Sequence, residues 1–285
     1  MNITAYVISH IGLVRQNQED NFMLDGTIIT TSMQQKIKLQ ENCFVTEIQK
    51  INGNSAIFAV SDGMGGHNAG EVASYTVVRK LAEFRLMILS ALDYIVAFQN
   101  CVDEINREIL QLGKGHKEMA GMGATLAALL VKNGQVAAMN LGDSRIYRYD
   151  GEKFAQITSD HTEGQRLLNL KLMTSEELSN FPSRKSLNRY LGIPLQEGQL
   201  KADVYEVKVQ REKEWFLICS DGLTDAVENT MIERTLQQHF YDENLHTTVE
   251  ELVQLGLCGT DGNNGSGDNV TVILVQIKGK QEVLK

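Results

Sequence analysis

The sequence predicts an α+β protein built on antiparallel sheet, and two observations carry that prediction. Asn133-Gly134 separates two apolar runs, Gly121 to Val131 and Val136 to Leu141, and Asp150-Gly151 turns Ile146-Tyr147-Arg148-Tyr149 into a further strand. Two-residue links of this kind close neighbouring antiparallel strands, whereas a parallel sheet would alternate strands with crossover helices. The second observation is helical spacing in Ala73, Val77, Leu81, Phe84 and Ile88, and again in Ile95, Phe98, Val102, Ile105 and Ile109. These are two helices that each present one apolar face to a core.

Taken in order, residues 3–9 alternate as a half-buried strand does. The polar cluster His10 to Asn21 follows, in which Arg15 is either a bidentate phosphate fork or, as the segment alone favours, the partner of a surface carboxylate at Glu19 or Asp20. Residues 26–54 are polar, with Lys36, Lys38, Lys50 and Asn52-Gly53 indicating a hairpin or loop without a chemical signature. The strand Ala56 to Val60 then runs into Ser61-Asp62-Gly63-Met64-Gly65-Gly66, where glycines let backbone approach whatever Asp62 holds, a metal or a phosphate. Asp-Gly used simply as a turn is the competing reading.

The design recurs. Trp215 to Cys219 is an apolar strand ending in Ser220-Asp221-Gly222, and Asp268 closes the glycine-rich loop Gly262 to Gly267 and opens the strand Val270 to Val275. A further turn, Gly142-Asp143-Ser144-Arg145, follows the strand that ends at Leu141. Residues Thr158 to Arg189 are irregular enough for a surface flap, with a helical piece opened by Thr174-Ser175-Glu176-Glu177. Within it His161 is either a general acid or, as is commoner for a lone histidine in a polar loop, a structural hydrogen-bonding residue, and geometry decides between them. Helices are expected from Thr224-Asp225-Ala226-Val227 and over 247–257, the latter with Val249, Leu252 and Leu255 inward. Asp261 to Gly265 is a poor calcium loop, because it lacks the closing bidentate glutamate.

The chain has 285 residues, 42% of them hydrophobic, with no repeat, low-complexity tract or linker, so 1–285 reads as one domain. Its formal charge of −9 argues against nucleic acid or an anionic membrane as partner, and an anionic substrate needs local cationic help. Carboxylates gathered in one cleft of such a protein repel, and divalent cations with oxygen ligands are the simplest way to hold them together. Cys43, Cys101, Cys219 and Cys258 are far apart and read as reduced and buried. Residues 1–5 lack the features of a signal peptide, and no run reaches the roughly 20 apolar residues of a membrane span. A monomeric cytoplasmic protein is expected.

These pieces, in this order, resemble the PPM family, the metal-dependent protein serine/threonine phosphatases of type 2C, and most closely its compact bacterial members. The motifs that carry the resemblance are Gly12 with Arg15 and Asn17 to Asn21, Asp62 to Gly70, Gly121 to Leu126, Gly142 to Arg145, Asp160-His161, Leu187 to Gly192, Ser220 to Asp225, and Gly267 to Thr271. The resemblance implies an antiparallel β-sandwich flanked on both faces by pairs of helices, with a flap at about 162–186 that contributes to substrate choice. It implies that Asp62 bridges two Mn2+ or Mg2+ ions, that the Gly63 carbonyl joins one of them, that Asp221 and Asp268 hold the first, and that Asp20, with Glu19 sharing part of the role, holds the second.

A third, weaker ion would sit at Asp143 with Asp221, and Arg15 would grip the substrate phosphate. The implied reaction is hydrolysis of phosphoserine and phosphothreonine by a water shared between cations about 4 Å apart, without a phosphoenzyme. Some relatives carry a histidine where this chain has Met64, and a thioether donates no proton. Phosphorylated proteins, a serine/threonine kinase among them, are the implied partners. The competing readings are a catalytically silent phosphoprotein-binding module of the same fold, which missing metal acids would favour and none is missing, and a hydrolase of small phosphate esters.

Overall fold

A computed structural model of the chain describes residues 1–29, 44–51, 53–65, 69–195, 198–260, 262 and 265–279. Lys36, Lys38, Cys43, Asn52, Gly66, His67, Asn68, Asp261, Asn263 and Asn264, which entered the sequence reading, lie outside the described residues. The strands are β1 (Asn2–His10), β2 (Asn21–Leu24), β3 (Thr27–Ile28), β4 (Phe44–Ile51), β5 (Ser55–Ser61), β6 (Gly63–Met64) and β7 (Gly123–Ala124), then β8 (Leu126–Lys132), β9 (Gln135–Leu141), β10 (Arg145–Tyr149), β11 (Phe154–Gln156), β12 (Asp203–Lys208), β13 (Lys213–Cys219) and β14 (Val270–Lys278). The helices are α1 (Ala69–Ser90), α2 (Tyr94–Gly115), α3 (Glu163–Asn169), α4 (Ser175–Ser179), α5 (Asp221–Thr224), α6 (Asn229–Phe240) and α7 (Leu245–Cys258).

Two sheets face each other, ordered β11-β10-β13-β14-β1-β4 and β12-β9-β8-β5-β2-β3, and their pairings are antiparallel. Alternation along each strand divides the apolar residues among three layers. In β5, Ala56, Phe58 and Val60 enter the inter-sheet core, while Ile57 and Ala59 pack under α1 and α2. In β14, Ile273, Val275 and Ile277 enter the same core, and Val272 and Leu274 join the outer cluster packed against α7. A strand covered on both faces is apolar at every position, which is why these segments read as continuous runs. The sandwich with flanking helix pairs is therefore the observed fold.

Local chemistry sets the element ends. Asn133 and Gly134 both take positive φ, 52° and 84°, closing the tight β8–β9 turn. Asp93 caps α2 by accepting from the Val96 N–H at 3.0 Å, and Thr174 and Glu177 form a reciprocal capping box on α4.

Four expectations are corrected. Residues 3–9 are buried on both faces, not one, because β1 lies between β14 and β4 with the sandwich on one side and α7 on the other. The stretch 26–54 carries a full strand, β4, paired with β1; the link at Gly53 passes from one sheet to the other and closes no hairpin. The helix expected at 224–227 begins instead at Asp221, closes with Asp225 N–H on the Asp221 carbonyl, and is followed by α6 from Asn229. Cys101 and Cys219 are buried thiols, whereas Cys258 is partly exposed. Among the described residues no helix is long and apolar enough to cross a membrane.

Candidate active site

The acids singled out by the sequence converge at one end of the sandwich. β5 delivers Asp62, β13 delivers Asp221 at the start of α5, and Asp268 stands two residues before β14. Together with Glu19, Gly63, Asp143 and Arg15 they line a cleft of about 460 Å3, which Met64, Thr125, Lys185, Leu187 and Tyr190 also line. Carboxylates thus outnumber cationic side chains around it.

Asp62 is pinned through its backbone: its N–H donates to Thr125 Oγ1 at 2.9 Å, and its carbonyl accepts from the Thr125 N–H at 2.8 Å. Gly63 pairs with Ala124 and donates to the Glu19 carbonyl at 3.2 Å. A Cβ at Gly63 would lie 2.0 Å from the Gly70 carbonyl oxygen, so α1 can begin this close to the Asp62 turn only over a glycine.

The two adjacent acids part company. Glu19 lines the cleft; Asp20 lies behind it, buried, accepting from Ser220 Oγ at 2.7 Å. Ser220 in turn accepts from the Thr271 N–H at 3.0 Å, tying β13 to β14 at the root of the cleft. Arg15 is half exposed and donates to Asp268 Oδ2 at 2.7 Å, so its carboxylate partner is neither Glu19 nor Asp20.

The loop that carries Arg15 is held by Asn269, to which the sequence reading gave no role. Its side-chain carbonyl accepts from the Glu19 N–H at 2.7 Å, and its amide donates to the carbonyls of Ile11 and Asn17 at 2.7 and 2.9 Å. Only its position after Asp268 hinted at this.

His161 is buried, with both ring nitrogens engaged. Nδ1 accepts from the Gly142 N–H at 3.1 Å, which leaves Nε2 to donate to Asp203 Oδ2 at 3.1 Å. Burial also lowers its pKa, so a neutral structural imidazole is the consistent state. It lies outside the cleft lining and steadies the turn bearing Asp143. Among the described residues no histidine lines the cleft.

The electrostatics are those of a site built for positive charge. Burial, then the charges of Asp221, Asp20, Asp143 and Asp268, hold Asp62 well above the usual carboxylate range. Burial first, with neighbouring acids next, pushes Asp143 up to about 7 and Asp221 up to about 6. Asp20 rises to about 7, again mainly through burial, against the pull of its hydroxyl partners Ser220 and Thr271. Asp20 Oδ1 and Asp221 Oδ1 are buried without a hydrogen-bond partner, an arrangement that costs free energy unless something cationic meets them. Among the described residues no three His, Cys, Asp or Glu side chains close into a ligand cage, Asp268 being turned to Arg15. An oxygen-only donor set with orphaned carboxylate oxygens fits hard divalent cations such as Mn2+ or Mg2+.

The flap is an excursion closed at its neck by Glu163 N–H to the Ser186 carbonyl at 2.8 Å and Gly164 N–H to the Arg184 carbonyl at 3.0 Å. Lys185 reaches from it into the cleft and pairs with Asp225.

Comparison with known proteins bears on the family and the fold. A family model described as protein phosphatase 2C matches residues 32–254. The serine/threonine phosphatase stp of Listeria monocytogenes serotype 4b (strain F2365) is 34% identical over 226 residues, covering 78% of this chain and 85% of that protein. The crystal structure of serine/threonine phosphatase Stp1 from Staphylococcus aureus superposes with a TM-score of 0.76 at 28% identity, over 96% of this chain and 95% of that one. The catalytic domain of serine/threonine protein phosphatase PstP, solved in complex with two manganese ions, superposes with a TM-score of 0.71 at 27% identity, over 98% and 100%.

Proposed function

The chain belongs to the protein phosphatase 2C family, and from that membership we propose that it is a divalent-cation-dependent phosphatase acting on phosphoserine and phosphothreonine in proteins, a serine/threonine kinase among its substrates. The observation that carries the reading is the set of desolvated carboxylates, Asp62, Asp143 and Asp221, raised first by burial and then by neighbouring acids, beside a rim arginine.

Asp62, Asp221 and Asp268 are the proposed side-chain ligands of the main cation pair, with the Gly63 carbonyl; Asp20, whose Oδ1 is buried without a partner, and Glu19, which lines the cleft, would share the second ion. Asp143 with Asp221 is the proposed weaker third site. Cations bound there supply a hydrolytic water of lowered pKa and offset charge on the phosphoryl oxygens.

The protein's own groups do the rest. Arg15, on a loop clamped by Asn269, exchanges Asp268 for the substrate phosphate and orients it by a bidentate fork. Met64 lines the cleft without a transferable proton, so the leaving alkoxide takes its proton from a group other than residue 64. Residues 162–186 act as a flap on the side where Lys185 enters and contribute to substrate choice.

The test is hydrolysis of a phosphothreonine peptide by chelator-treated protein, with and without added Mn2+, beside Asp221→Ala. Turnover that requires Mn2+ and vanishes in the variant supports the reading; no turnover by folded, Mn2+-loaded protein rejects it. Efficiency on the peptide no higher than on an aryl phosphate rejects the protein-substrate part alone.

A further inference from the structure

Two buried hydroxyls join the turn that bears Asp62 to the turn that bears Asp143. Thr125 Oγ1 takes the Asp62 N–H at 2.9 Å and also meets Ser144 Oγ at 2.6 Å. Thr125 and Ser144 are 2% and 0% exposed, so neither hydroxyl has bulk water to fall back on. The Thr125 backbone is gripped as well, since its N–H donates to the Asp62 carbonyl at 2.8 Å and its carbonyl accepts from Ser61 Oγ at 2.7 Å. On the far side Gly142, at φ +102°, packs so tightly that a Cβ would stand 2.6 Å from Thr125 Cγ2. The Asp143 turn is thus pressed onto Thr125 from one side and held by His161 and Asn140 from the other.

The turns come from different strand ends, β5 and β9, and among the described residues no backbone hydrogen bond joins Asp62 to the 142–144 turn. The hydroxyl pair is their direct polar link. Valine at 125 would keep the volume yet leave the buried Asp62 N–H without an acceptor; alanine at 144 would keep that N–H satisfied and cut the link to the second turn.

We propose that Thr125 and Ser144 are a positioning pair that sets the separation of Asp62 and Asp143, so that the two acids take up divalent cations as one unit. The proposal rests on the reading of the cleft as a cation site and deepens it by naming residues that are not ligands. Groups that hold ligands in place from behind act on affinity through geometry, and their loss typically weakens metal binding by about 10- to 100-fold.

The experiment is Mn2+ binding, by titration calorimetry and by the signal of free Mn2+ in electron paramagnetic resonance, to the wild type, Thr125→Val, Thr125→Ser, Ser144→Ala and the Thr125→Val/Ser144→Ala double variant. Cation-free unfolding midpoints are measured alongside. Expected is weakening of about 10-fold or more for Thr125→Val and for Ser144→Ala, recovery to within about threefold for Thr125→Ser, and a double variant no weaker than Thr125→Val. Unchanged Mn2+ binding in Ser144→Ala, or losses that simply add in the double variant, overturns the pair. Ser144→Ala keeps the Asp62 N–H satisfied, so it decides the matter even if Thr125→Val does not fold. A purely structural pair would move the unfolding midpoints and leave the isotherms superimposable. If the wild type itself binds no Mn2+, the cation reading falls and the inference with it; normal wild-type binding with unaltered variants sinks the inference alone.

Discussion

The floor of the cleft and the flap beside it are held by opposite means. Asp62 is fixed by backbone bonds to Thr125, Asp221 opens a helix braced through Ser220, and Asp143 sits on a turn gripped from both sides. Between Gln165 and Ser186 no flap residue is buried; Leu170 and Leu172 stand 55% and 65% exposed, and the flap's ion pairs, Arg166 with Glu163 and Lys185 with Asp225, are solvent-facing. The floor carries an electrostatic cost in a buried frame, while the flap is held by local hydrogen bonds and surface ion pairs. On the proposed function, chemistry that needs fixed acids would thereby be separated from recognition that needs adaptable contacts within one cleft.

The largest effect expected from that contrast is at the floor. Asp62→Ala or Asp221→Ala should remove phosphothreonine-peptide turnover, by at least the roughly 10²- to 10³-fold that loss of one preorganised electrostatic group costs, and should raise the cation-free unfolding midpoint by relieving repulsion. Substantial residual turnover would break the assignment.

Next is pH. Asp143 and Asp221, at about 7 and about 6 in the folded protein against an ordinary 3.8, bind more protons folded than unfolded across that interval. Stability of the cation-free protein should therefore fall as pH rises from about 4 to about 7, by about 1.4 kcal/mol at most per pH unit for each acid, and millimolar Mn2+ should recover it. Thermal melts over that range, with Asp143→Asn showing a shallower slope, check the sign; a flat cation-free profile contradicts the buried-acid account.

Arg15 lies between the two regions, rigidly placed by Asn269 yet half exposed. Arg15→Ala should lower kcat/KM by about 10²-fold with the fold intact, and lysine should restore only part, lacking the planar fork. Steady-state kinetics that put lysine level with arginine would show that charge alone suffices. The smallest effect belongs to the flap: Lys185→Ala breaks a surface pair and should cost under about 1 kcal/mol, with peptide KM moving more than aryl phosphate turnover. A stability loss of several kcal/mol would mean the flap is part of the frame after all.

Much of this was legible because it is local. Ser61-Asp62-Gly63 and Ser220-Asp221-Gly222 announce acids at strand ends, Asn133-Gly134 announces a hairpin, and the spacing in α1 and α2 announces their buried faces. The orientation of Glu19 against Asp20 was not legible. Successive residues at a strand's entry point to opposite sides, and two neighbouring acids give no hint which side is the cleft.

Strand ends, turn chemistry, helix faces and the order of motifs are written in the chain, since each depends on residues a few positions apart. Long-range packing sets which sheet β4 and β5 join, that Arg15 pairs with a carboxylate 253 positions away, that Asn269 clamps the loop before β2, and that Thr125 meets Ser144. Strands apolar on both faces carry no mark of which partner they take, and hydrogen bonds between distant hydroxyls and amides leave no periodic trace in the chain.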